Sequence, residues 1–259
     1  GSPSSTTQVS NQSQLDALAG CVDLLGDWEF SGTGFTDTDS LVNIQTVQGD
    51  LQFSGFQGVS GTGPWQSNWS SNLPVDIKMP NLQSVGGKLW IRNQCRTDLL
   101  DFSSLTSIGT DLDIDGNTLD SLNFESLTNV NLITIKDNGN HTGMWLNSEY
   151  EIHTFNSLIS LNHLNIQDNT PNPGSLVALG GFNSLTSLNN LEVYNNPELE
   201  SCCKLIDLAS IAQNNTTIQN NGTNCSSLIT TANNCTGVTY CGSPSSTTQV
   251  SNQSQLDAL

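Results

Sequence analysis

Basic residues are scarce in this chain. Lys and Arg together number 6 against 24 Asp and Glu, for a net charge of -18 over 259 residues. Binding to nucleic acid or to an anionic membrane surface needs clustered Lys and Arg, so both partners are excluded on charge. No apolar run approaches membrane-spanning length, so no membrane insertion is expected in this segment. No signal peptide is visible either, and a secreted form would carry its signal upstream. Charged residues of both signs make up only 12% of the chain. Ser, Thr, Asn and Gly fill the space. A polar, uncharged, Lys-poor chain of this kind points to an extracellular or cell-surface setting.

Catalytic signatures are missing too. There is no G-x-S-x-G element and no Gly-rich phosphate loop, and no cofactor is expected. His141, His153 and His163 have no nucleophile motif beside them, and Glu149 and Glu151 are simply neighbouring loop acids. No pair of cysteines has the two-residue spacing of a zinc site, and the histidines lie far from the cysteines. The sequence therefore does not read as an enzyme. One acidic stretch, "DLDIDGN" (111–117), puts Asp111, Asp113 and Asp115 on one face of one strand, a weak Ca²⁺ candidate. The bidentate Glu of an EF-hand loop is absent, since its position holds Leu122. A cross-strand charge ladder with Lys88, Arg92 and Lys136 is the preferred reading. "TGFTDTDS" (33–40) is a weaker acidic loop.

What the chain does have is repetition at two scales. Residues 1–18, "GSPSSTTQVSNQSQLDAL", recur without change as residues 242–259. A cloning scar does not account for the second copy. The simplest reading is a tandem array with a 241-residue period, and the alternative is an engineered duplication of one end. On the array reading, 1–12 is an inter-repeat linker, 13–241 a folded unit and 242–259 the start of the next repeat. "TTQVS" could instead pair as a strand with a neighbouring repeat and stiffen the junction.

Inside the unit runs a shorter repeat, S-L-x-x-L followed by L-x-I-x-x-N-x-x-L. Its central element aligns eight times, at Trp28–Phe30, Leu51–Phe53, Leu89–Ile91, Leu112–Ile114, Ile133–Ile135, Leu164–Ile166, Leu191–Val193 and Thr216–Ile218. Most steps are 21 to 27 residues, and two are longer, at 38 and 31. Such a period means a solenoid. Each L-x-I is a short strand with two side chains inward and one outward. Eight turns at ~4.8 Å spacing give a stack roughly 35–40 Å long. The outward column is Glu29, Gln52, Trp90, Asp113, Thr134, Asn165, Glu192 and Thr217. It shows no binding code and reads as a solvated sheet face. The recurring Asn three residues after the Ile predicts a buried column at Asn117, Asn138, Asn169, Asn196 and Asn221. Each amide would bond backbone groups of its own turn and the next, where the chain leaves the strand. Turns and short 3₁₀ segments are expected between strands.

These units resemble leucine-rich repeats of the receptor L-domain type. The resemblance covers residues 13–235 and implies a mainly β, right-handed parallel β-solenoid. "NNPELESCCKLIDLASIAQNNTTIQNNGTNCSSLITTANNC" resembles the C-terminal end of such domains in secreted, repetitive surface proteins of Bacteroidetes-like bacteria. The family implies extracellular recognition or structure and brings no catalytic motif.

A solenoid needs its two ends covered. "NQSQLDALAGC" reads as a short front helix, with Asn11 or Ser13 as N-cap and Leu15 and Leu18 facing the first turn. "CSSLITTANNC" (225–235) reads as a rear helix tied by disulfides. Of the seven cysteines, Cys202, Cys203, Cys225 and Cys235 are expected to form two local bridges of open connectivity. An odd number per period leaves one thiol unpaired, and Cys95, in a core slot, is the candidate. Cys21 and Cys241 would then pair across the repeat junction.

The two long steps are insertions. One (56–80) carries Trp65 and Trp69, and the other (138–155) carries Trp145 and Tyr150. Loops on a rigid scaffold often hold function. Their aromatics could serve as lids, as subunit contacts or as ligand contacts. Sequons are plentiful, among them Asn68, Asn140, Asn215 and Asn221. The expected function is a structural subunit of a surface fibre or stalk, with neighbouring copies as partners. The alternative is an adhesin that binds a glycan or surface protein through the Trp-bearing loops.

Overall fold

The computed structural model describes residues 5–58, 76–93, 97–117, 119–138, 149–169 and 175–236. Within them, nine parallel strands form one sheet whose spatial order is the chain order. They are β1 (Thr7–Val9), β2 (Trp28–Phe35), β3 (Leu51–Gly58), β4 (Leu89–Arg92), β5 (Asp111–Asp115), β6 (Leu132–Lys136), β7 (Ser160–Gln167), β8 (Ser187–Tyr194) and β9 (Ala212–Gln219). All eight predicted L-x-I elements lie side by side in this sheet, in the predicted register. They enclose about seven coils of a right-handed solenoid. Strand alternation sets the core, because successive side chains point to opposite faces. Leu51, Leu89, Leu112, Ile133, Leu164 and Leu191 stack in one fully buried column. Phe53, Ile91, Ile114, Ile135, Ile166 and Val193 stack in the next.

The return path is more ordered than expected. Besides the 3₁₀ turn at Asp39–Leu41, the chain between rungs forms further parallel sheets. One joins Asp23–Leu24, Thr46–Val47, Ser84–Val85 and Ser107–Ile108, and a second joins Ile77–Lys78, Thr97–Asp101 and Leu119–Asn123. The last residue of each S-L-x-x-L-type element (Val85, Ile108) is the buried residue of such a strand. Close stacking at the corner before the rung demands glycine. A Cβ on Gly109 would collide with the carbonyl of Gly86, and one on Gly86 with the carbonyl of Gln48. Since the obstacle is backbone, neither can give way.

Six rungs, β4 to β9, end in a left-handed residue. Asn93, Asp137, Asp168, Asn195 and Asn220 have φ of 53–56°, and Gly116 takes the same place at 68°. Asn, Asp and Gly are the residues that tolerate this conformation. It turns the chain sharply out of the strand and, after β5 to β9, delivers the next residue, the column Asn, into the core.

A further column escaped the sequence reading beyond Phe30 and Phe53, which are inward residues of the L-x-I elements. Phe30, Phe53, Phe102, Phe124, Phe155 and Phe182 are all buried and form one stack. Successive ring centroids lie 5.0, 6.5, 5.2, 5.5 and 5.2 Å apart. Four of them come from F-x-S-L, a repeated signal immediately upstream of the motif used above. Phe124→Ala should cost about 3–5 kcal/mol through lost transfer energy and an uncollapsed cavity, as measured by chemical denaturation. Ring neighbours above and below hold that cavity open.

The ends are built differently. At the front, β1 pairs with β2 of its own unit, so Thr7–Val9 is part of the solenoid and only the residues before it can act as linker. Helix α1 (Gln12–Asp16) follows, with Asn11 as its N-cap, accepting from the Gln14 amide at 3.0 Å. Leu15 is fully buried and Leu18 nearly so, as expected. At the rear, α2 (Lys204–Ile211) was not foreseen. It inserts between β8 and β9 and buries Leu205 and Leu208. A 3₁₀ turn (Thr223–Cys225) and α3 (Leu228–Thr236) complete the rear cap.

Candidate functional site

Three places concentrate polar chemistry: the outer sheet face, the Asn column and the cysteine cap. On the face, Glu29, Gln52, Trp90, Asp113, Thr134, Asn165, Glu192 and Thr217 lie in one row across eight strands. It is not uniformly solvated, as the sequence suggested. Asp113 is only 7% exposed. Lys88, just before β4, and Arg92, at its end, flank Trp90 and each lie 4.6 Å from its ring centroid. Both also reach Oδ2 of Asp113 on β5, at 3.3 and 3.4 Å. The cluster covers the carboxylate with the stems of its own partners.

The preferred charge ladder is therefore present. Asp113 faces two cations, Asp115 pairs with Lys136 at 3.3 Å, and Asp111 accepts from Asn131 at 3.2 Å. Burial works to lower the pKa of Lys136, but the carboxylates of Asp115, Asp137 and Asp113 outweigh it and hold it above its usual value. The Ca²⁺ alternative at Asp111, Asp113 and Asp115 finds no support in this arrangement. Among the described residues, no three His, Cys, Asp or Glu side chains are grouped to hold a metal. In the 33–40 loop, Asp37 accepts from the Asp39 amide at the start of the 3₁₀ turn.

The Asn column forms as a continuous ladder. Asn117, Asn138, Asn169 and Asn196 are fully buried, and Asn221 is 8% exposed. Asn138 illustrates the unit. Its Nδ2 donates back to Ile114 O (3.0 Å) and forward to Asn169 Oδ1 (3.2 Å), while its own amide donates to that same oxygen (3.1 Å). Its Oδ1 accepts both the backbone and the side-chain N–H of Asn117. One side chain thus fastens three coils. The ladder ends at Asn221, whose Nδ2 donates to Val193 O and Cys225 O. Burial of Asn221 also removes its sequon from the surface of the folded chain, whereas Asn215 is exposed on β9.

The four clustered cysteines form two bridges, Cys202–Cys225 and Cys203–Cys235. Cys202 and Cys225 are buried, while Cys203 is exposed. Glu200 orients the turn that carries Cys225. Its carboxylate accepts from the Thr223 amide and hydroxyl, both at 2.9 Å, and from the Asn224 amide at 3.2 Å. Burial works to raise its pKa, but these donors outweigh that and hold it below its ordinary 4.5. A depressed carboxylate stabilises the fold above its unfolded pKa and loses that contribution as pH falls through the folded value. Glu200→Gln should therefore lower stability at pH 7 by less than about 1 kcal/mol, since the site is exposed. The gap from wild type should narrow as pH falls below 4.5 and through the lower folded value, as measured by thermal melts across pH.

The remaining expectations divide. Cys21 is a free, half-buried thiol. Its expected partner Cys241 lies outside the described residues, as do Cys95, Trp65, Trp69, Trp145, His141, Asn68, Asn140 and the copy at 242–259. Tyr150 belongs to a strand, Glu149–Ile152, which pairs with Ser175–Leu179 in register with Leu176, and not to a loop. His153 contacts the Glu151 carboxylate in the open. His163 lies 3.4 Å from Glu192 on the adjacent strand. Among the described residues, no helix is long and apolar enough to cross a membrane. No protein family, no curated protein and no solved structure matches the chain. Its coil is consistent with leucine-rich-repeat and receptor-L-domain-like folds.

Proposed function

We propose that this chain is the repeat unit of an extracellular structural fibre or stalk, assembled head to tail, on the surface of a Bacteroidetes-like bacterium. One observation carries the reading. Residues 1–18 are no disposable tag: they contain β1, α1 and the fully buried Leu15. That the same eighteen residues recur unchanged at 242–259 supports reading them as the front end of another repeat. The scaffold suits a mechanical role. It is a repetitive coil with fastened rungs, a disulfide-bound rear and an acidic surface that keeps it soluble. Neighbouring copies are its partners.

Cryo-EM of material from the native source tests this. Filaments with one solenoid per axial step are the expected result. Isolated particles would overturn the fibre, and the recognition reading would then be tested by screening glycans against the chain and a Trp65→Ala/Trp69→Ala variant.

A further inference from the structure

Among the described residues β1 and β9 are the edge strands of the main sheet, and both run parallel to every strand between them. β9 has the side-chain pattern of a rung that is still waiting for its neighbour. Its inward positions, Thr216 and Ile218, pair with Leu191 and Val193 on β8. The β8 residues are fully buried, yet Thr216 is exposed and Ile218 only half-buried. Helix α2 packs on β8 and β9, and among the described residues no strand pairs with the outer edge of β9. α3 packs on α2 and on the 3₁₀ turn, and the turn closes the Asn column through Cys225 O. Exposed strand edges are usually blunted with Lys, Pro or inward charge. β9, "AQNNTTIQ", has none of these, and neither does β1.

Resting on the array reading above, we infer that consecutive repeats share one unbroken solenoid. Thr248–Val250, the second copy of β1, docks in parallel on the outer edge of β9 as its next rung. The first copy of this tripeptide serves as a rung, since Thr7–Val9 pairs residue for residue with Trp28–Phe30. Spacing agrees. Thr248 follows Thr216 by 32 residues, within the 21 to 38 that separate rungs inside the unit. The coil between them has room for α3. Side chains match as well: Thr248 falls on Thr216 and Val250 on Ile218, two β-branched pairs of the kind that pack well on a pleated surface. The repeat boundary is then marked by a bulky coil carrying the disulfides on the side away from the sheet, and the sheet itself passes through it.

The prediction is metric. Nine rungs per 241-residue period at ~4.8 Å give an axial rise of about 43 Å per repeat. Cryo-EM of native filaments reads that rise directly. A value near 43 Å with continuous sheet density is expected. Filaments with a rise longer by a linker's length would overturn the shared solenoid and leave the fibre standing. Absence of filaments would remove the fibre, and hydrogen exchange on the purified 259-residue chain then decides the docking by itself. Peptides running through Cys241 distinguish the second copy from the first. The amides of Thr248–Val250 should exchange at least about tenfold more slowly than unstructured chain. Val250→Asp should abolish that protection and leave β1 unchanged. Free exchange at 248–250 in the wild-type chain, with β1 protected, would overturn the inference.

Discussion

Replacing Asn169 with Leu should lower the stability of this fold by about 3–5 kcal/mol, because several buried polar groups lose their partners at once. Asn169 is fully buried at mid-ladder. Its Oδ1 accepts the backbone and side-chain N–H of Asn138, at 3.1 and 3.2 Å. Its Nδ2 donates to Ile135 O at 3.2 Å and to Asn196 Oδ1 at 2.8 Å. Leu has similar volume and satisfies none of these. The stranded groups face the core, where an unmet donor or acceptor costs about 1–3 kcal/mol. Partial relaxation keeps the total below the simple sum. Asn183 gives the contrast. It also donates to an Asn on the adjacent coil, Asn156 at 2.7 Å, but on the surface. Asn183→Leu should change stability by no more than about 0.5 kcal/mol. Urea denaturation of both variants measures the difference. Equal effects would mean that the ladder is ornamental and that packing alone holds the coils in register.

That ladder was legible in the sequence, and the reason is geometric. A rung needs two inward apolar side chains two residues apart, and the chain must leave the rung at a fixed point. The L-x-I element and the Asn three residues later follow from those two constraints, so they recur. The Phe stack obeys a constraint of the same kind. Its F-x-S-L signal repeats four times, but Met79 takes the place in one coil and the early coils supply Phe30 and Phe53 from the strands, which blurs the period. α2 was hidden because its two turns show only Leu205 and Leu208 as buried spacing, too little to stand out against solenoid periodicity. The pairing of Asp113 with Lys88 and Arg92 was legible from strand alternation, but its burial was not: it depends on how far the two stems fold over from the adjacent strand, which spacing does not set. Disulfide pairing was equally closed to inspection. Cys202 and Cys203 are adjacent, and only the local backbone decides that the first points into the core and the second outward.

That division between the two cysteines leads to the other large effect. Reduction should proceed in two distinct steps. Cys203–Cys235 has an exposed sulfur-bearing residue and should open promptly under mild dithiothreitol. Cys202–Cys225 lies in the core, with Cys202 at 2% and Cys225 at 0% exposure, so its reduction has to wait for the cap to open. The loops span 23 and 32 residues. On the chain-entropy account each closure contributes about 3–4 kcal/mol, and the overlap of the two loops brings the pair to about 4–6 kcal/mol. The loss should stay local. In a solenoid each coil touches only its neighbours, so unfolding begins at the released end and travels inward. Alkylation with mass analysis should find one pair trapped well before the other. Hydrogen exchange after full reduction should rise across residues 202–236 while β2 to β5 keep their protection. Simultaneous reduction of both bonds, or loss of protection at the front coils, would contradict this. Then the rear cap would be holding the whole coil, and the ladders of Asn and Phe would not suffice to stabilise the stack without it.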